Sequence, residues 1–95
     1  MPAAYPVAIR DGHGRVVAKG RTANISQHGV FVVTSAKGAL KPGGIIRLQI
    51  SVPDAAASPH RRPGSRLVYH LCRIVRVQAA GRLLGLGMEF ISESA

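Results

Sequence analysis

Between Ile45 and Pro53, the apolar residues Ile46, Leu48, Ile50 and Val52 alternate with Arg47, Gln49 and Ser51. In extended chain this places every apolar side chain on one face and every polar one on the other. Leu84, Leu86, Met88 and Phe90 repeat the pattern near the end of the sequence. A strand with one apolar face must bury it against a second layer or inside a closed sheet. No stretch carries a convincing 3.6-residue period, so the chain is expected to be all-β.

Turn residues divide the remainder into short strands. Val7 to Arg10 and Arg15 to Ile25 flank Asp11-Gly12-His13-Gly14, a strong hairpin signal. Gly29 to Thr34 is a nearly continuous apolar strand, and Pro42-Gly43 ends the loop that follows it. Arg66 to Val77 is a fifth strand whose apolar face switches part way, as happens at a bend or a bulge. Gly81 turns the chain into the last strand. The polar loop 54–65 is expected to be mobile, and the tail 92–95 frayed. Six strands in 95 residues, with eleven glycines and six prolines, point to one domain over 1–95 with its core in about 5–90. The economical architecture is an antiparallel barrel or compact sandwich.

Aromatics are scarce, so the core must be aliphatic; Phe31 and Tyr69, inside strands, are expected to join it. Thirteen Lys and Arg against four Asp and Glu give a net charge of +9, which favours anionic partners. Ten of the thirteen are Arg, whose planar fork suits phosphate. A single cysteine, Cys72, excludes an internal disulfide. "MPAAYPVAIRDG" has no apolar core of a signal peptide, and no apolar run approaches a membrane span, so a cytoplasmic setting is expected.

Little in the sequence suggests catalysis or a metal. Asp11, Asp54, Glu89 and Glu93 offer no plausible close carboxylate pair. Ser26 lies two residues from His28, but nothing acidic stands nearby in sequence to orient that base. His70 and Cys72 share a strand face, yet two ligands do not fill a tetrahedral site. No enzyme activity, cofactor or metal is expected. Gly85 and Gly87, on the face opposite Leu84 and Leu86, are expected to let a neighbouring chain or a ligand come close.

The stretch "NISQHG" ends one strand and opens the next. "LKPGGIIRLQISVP" and the closing "GLGMEF" follow in order. Together these resemble the PilZ domain family, over roughly Tyr5 to Phe90. The resemblance implies a six-stranded antiparallel β-barrel and a cytoplasmic bacterial signalling role with cyclic di-GMP as ligand. The family's motif of Asp or Asn, any residue, Ser, two residues and Gly falls on Asn24, Ser26 and Gly29. The Asn24 amide can read a guanine edge and the Ser26 hydroxyl can meet a phosphate or a guanine. Gly29 is expected to let the chain turn and keep that face open.

The family's other motif, two arginines separated by three residues just before the first strand, has no counterpart here. The residues ahead of that strand, Met1 to Pro6, contain no arginine, so the clamp is missing or lies upstream of the given sequence. Arg62 and Arg66 have the spacing but lie between the fourth and fifth strands. Arg10, Arg15 and Arg21 are the remaining candidates for phosphate contacts. Each charge-assisted hydrogen bond contributes about 1.5–3 kcal/mol, and ~1.4 kcal/mol is tenfold in affinity. Without the clamp, cyclic di-GMP is expected to bind weakly or not at all, and the domain to act through a partner protein, as adaptors linked to type IV pili and motility do. One alternative is a competent receptor that uses other arginines. Another is a small basic nucleic-acid-binding barrel, against which the lack of aromatic stacking platforms weighs.

Overall fold

The computed structural model describes residues 4–35, 40–53 and 65–91. All of the expected mobile loop except Ser65, and the expected frayed tail, lie outside them. Six strands form: β1 (Pro6–Arg10), β2 (Val16–Ile25), β3 (Gly29–Thr34), β4 (Ile45–Pro53), β5 (Ser65–Ala80) and β6 (Leu83–Phe90). They close into an antiparallel barrel in the order β1-β2-β3-β6-β5-β4, with β1 hydrogen-bonded to β4. The expected six-stranded antiparallel barrel is thus the fold. No described residue is helical, and so no described helix could cross a membrane.

The alternation decides what faces inward. Ile46, Leu48 and Ile50 on β4 and Leu86 and Met88 on β6 are buried, with Ile9, Val32 and Ile74 facing them. Two threonines join this core and are satisfied there. The Tyr5 N–H donates to Thr22 Oγ1 at 2.9 Å, and Thr34 Oγ1 donates to the Lys19 carbonyl at 2.7 Å. Thr22→Val keeps the shape but strands the Tyr5 N–H, so a loss of about 1–3 kcal/mol is expected in urea unfolding, with no change in slope.

Cys72 is fully buried, and its thiol lies 3.7 Å from the His70 carbonyl as donor. Burial pushes this thiol up to about 12 from 9.0. The neutral thiol therefore favours the folded state below pH 9, and that contribution is lost as pH rises from 9 to about 12, where the unfolded chain ionises first. A disulfide reagent at pH 8 is expected to label Cys72 only at the rate of unfolding. His70 stacks on Phe90 with ring centroids 4.4 Å apart.

Among the described residues, three register shifts interrupt the ladders. Val17 is the extra residue between β1 and β2, Ala23 between β2 and β3, and Val75 between β5 and β6. The last explains the switch of apolar face in this strand: Ile74 points inward, while Val75 and Arg76 are both exposed. Two aromatics depart from expectation. Tyr69 is 53% exposed, opposite Gln49 on the outer wall, and Phe31 is half-buried on the outside. Both fall on the outward parity of their strands, between inward neighbours such as Val30 and Val32.

Candidate ligand-binding groove

The turn joining β2 to β3 is built by Ser26. Its backbone N–H donates to the Gly29 carbonyl at 2.9 Å. Its Oγ accepts from the His28 N–H at 3.3 Å and the Gly29 N–H at 3.2 Å, and donates to the Gly29 carbonyl at 3.3 Å. A serine here closes the loop with its own hydroxyl, as Ser and Asn do in turns. The hydroxyl that could meet a ligand is therefore also the one that holds the turn in shape.

Gly29 is required for a different reason from the one expected. Its φ is not positive; only Gly14, Gly43 and Gly81 have that conformation among the described residues. Instead a Cβ at Gly29 would run into the Met88 carbonyl oxygen of β6. The glycine lets β3 approach β6 closely, where the Phe90 N–H donates to the His28 carbonyl at 2.8 Å.

The bulge at Ala23 sets the direction of Asn24. Thr22 is buried opposite Val32, and after the extra residue Asn24 stands opposite Phe31 on the outer wall. The row continues across the barrel, since Phe31 pairs with Gly87 and Gly87 with Arg76. Asn24, Phe31, Gly87 and Arg76 thus span four adjacent strands, about 14 Å at ~4.8 Å per strand. A groove of about 440 Å³ lies along this row, lined also by Ser26, His28, Gly29 and Glu89. That volume falls within the range of small-molecule sites, roughly 300–1,000 Å³. Asn24 is also engaged within the protein. Glu89 is held by Arg73, whose guanidinium donates to its Oε1 at 2.9 Å.

Asn24, Ser26 and Gly29 all line this groove. The three arginines singled out in sequence do not stand beside them equally. Arg10 and Arg15 flank the β1–β2 turn, at the other end of β2 from Asn24, about 30 Å of extended chain away. Arg10 is committed there, donating to Gln49 Oε1 at 3.1 Å and the Gly14 carbonyl at 2.7 Å. The same turn is tied by Asp11, whose Oδ1 accepts the His13 and Arg15 N–H groups at 2.9 and 3.0 Å; the Arg15 N–H bond leads in holding its carboxyl below the usual value. Arg21 is exposed on β2, opposite Val33 and three residues before Asn24.

Among the described residues, the arginine that lines the groove is Arg76, which sequence reasoning missed. Simple alternation after Ile74 would have turned it inward; the bulge at Val75 turns it out. The switch of apolar face in this strand was the one signal that could have found it. Of the two glycines of β6, Gly85 lies under the Phe31 ring, where a Cβ would stand 2.5 Å from Cζ. Gly87 forms the floor beneath Arg76, with 3.6 Å from a Cβ there to the Arg76 Cβ.

The chain is a closed six-stranded antiparallel barrel with an Asn-x-Ser-x-x-Gly turn beside an outer-wall groove. The model of the PilZ domain matches residues 1–95, the whole chain, and the protein belongs to that family. A PilZ domain is a module of cyclic di-GMP signalling, and such domains are generally non-catalytic. No curated protein and no solved structure matches the chain significantly.

Proposed function

We propose that this domain is a non-catalytic regulatory module of bacterial cyclic di-GMP signalling. By its own chain it binds the nucleotide weakly or not at all, and it acts in the cytoplasm by contacting a partner protein. One observation carries the reading. The motif residues Asn24, Ser26 and Gly29 line a groove of ligand size, while Arg10 and Arg15 stand at the far end of β2. The motif residues support half of a guanine-nucleotide site, and among the described residues no pair of arginines lines the groove beside them.

The charge of +9 attracts a dianion at long range, but a diffuse field is screened by salt and does not replace a bidentate contact. Isothermal titration with cyclic di-GMP at low and high salt tests this. The expected heats are small, fit only a weak association and fade as salt rises. Nanomolar binding that persists in high salt would overturn the proposal in favour of a competent receptor.

A further inference from the structure

We propose that Arg76 is the anion-contacting residue of the groove, holding a phosphate of a guanine nucleotide whose base edge is read at Asn24. The inference rests on the reading of the groove as a cyclic di-GMP site. It adds a residue from β5, far in sequence from the motif.

The placement of Arg76 depends on an interruption of the sheet. Ile74 is buried opposite Met88, and the next ladder pair is Arg76 with Gly87. Without the extra residue Val75, an arginine two positions after Ile74 would enter an aliphatic core, where an uncompensated charge is very costly. Bulges recur beside functional sites because they re-aim a side chain. Here two of them, at Ala23 and Val75, bracket the β3–β6 pair and turn Asn24 and Arg76 onto one row.

What lies between them is open. Phe31 supplies an aromatic face, and Gly87 leaves the floor without a side chain. The Arg76 side chain lies along that floor, its Nε 3.9 Å from where a Gly87 Cβ would be. The acid in the groove, Glu89, is taken by Arg73. Arg76 forms no hydrogen bond or ion pair with any described residue, so its five N–H donors are free for a phosphate. A single guanidinium in an open groove gives weak, salt-sensitive binding.

The test is a cyclic di-GMP titration of the whole domain, followed by amide and Arg Nε–Hε resonances, for wild type, R76Q, R76K and R82Q. Arg76 is exposed, so R76Q is expected to fold, and its ligand-free spectrum checks that. Arg82, in the β5–β6 turn, controls for the loss of one positive charge. In wild type the Arg76 Nε–Hε resonance is expected to shift together with the Asn24 and Ser26 amides. R76Q is expected to bind about 10–100-fold more weakly, as for loss of a charge-assisted bond, with R76K between. R82Q is expected to stay within about twofold of wild type, as a screened distant charge should. If R76Q binds as wild type does while Asn24 and Ser26 still shift, Arg76 is excluded and the groove stands. If wild type shows no shifts at millimolar nucleotide, the Arg76 contact is wrong and partner-mediated action alone survives.

Discussion

Leu48→Ala is expected to destabilise the domain by about 2–5 kcal/mol, the usual range for a buried leucine truncated in a core. Leu48 has no solvent exposure and stands on β4 between Ile9 of β1 and His70 of β5. The barrel closes on itself through these strands, so the walls around the void are tied to each other and cannot easily collapse into it. For a domain of this size, 1 kcal/mol moves the melting midpoint by roughly 4–8 °C, so a fall of at least about 8 °C should appear in a thermal scan. A fall of less than about 1 °C, well under the effect of 1 kcal/mol, would mean that the barrel interior is not the core described.

Gly29→Ala is expected to cost about 1–3 kcal/mol, the scale of overpacking, even though it adds one methyl group. The obstacle is the backbone carbonyl of Met88, which cannot swing aside as a side chain can. Relief requires β3 to move from β6, which strains the bond from the Phe90 N–H to the His28 carbonyl and widens the groove at the motif end. Gly87→Ala is the matched control. Its methyl meets nothing nearer than 3.6 Å, so stability is expected to hold or to rise by about 0.5 kcal/mol as backbone freedom is lost from the unfolded chain. Chemical denaturation of both variants gives the comparison. Equal stabilities would show that close approach of the strands is not why Gly29 is there.

Much of the barrel is legible in the amino-acid sequence. The period-two runs on β4 and β6 dictate which side chains face inward, because strand geometry leaves no other choice when one face is apolar. The Asp-Gly, Pro-Gly and lone Gly signals separate the strands to within a few residues. The site is half legible. Asn24, Ser26 and Gly29 stand out as a motif, but the motif does not say why each residue is needed. Ser26 closes its own turn, and Gly29 serves a close strand approach rather than a positive φ.

What the sequence hides is set by register. A bulge adds one residue to a ladder without demanding a particular residue type, so Ala23 looks like an ordinary strand position, and the switch of apolar face in β5 signals a bulge without placing it at Val75. The effect is large, because one extra residue reverses the facing of everything after it. The arginines nearest the motif in sequence lie on β2 and around the β1–β2 turn, whereas Arg76 reaches the motif across β6, a neighbour only in the folded barrel. Residue type alone assigns Phe31 and Tyr69 to the core, and parity places both on the outer wall.

The proposed function is that this PilZ domain reads a nucleotide weakly in the groove lined by Asn24, Ser26 and Gly29, beside which no pair of arginines stands among the described residues. The direct measurement is a cyclic di-GMP titration of the isotope-labelled domain at low and high salt, read by amide chemical shifts. Fast-exchange shifts are expected, confined to the row from Asn24 through Phe31 and Gly87 to Arg76, incomplete at stoichiometric nucleotide and diminished by salt. Slow-exchange saturation at one equivalent that persists in high salt would contradict this reading, as would shifts centred on the β1–β2 turn at Arg10 and Arg15.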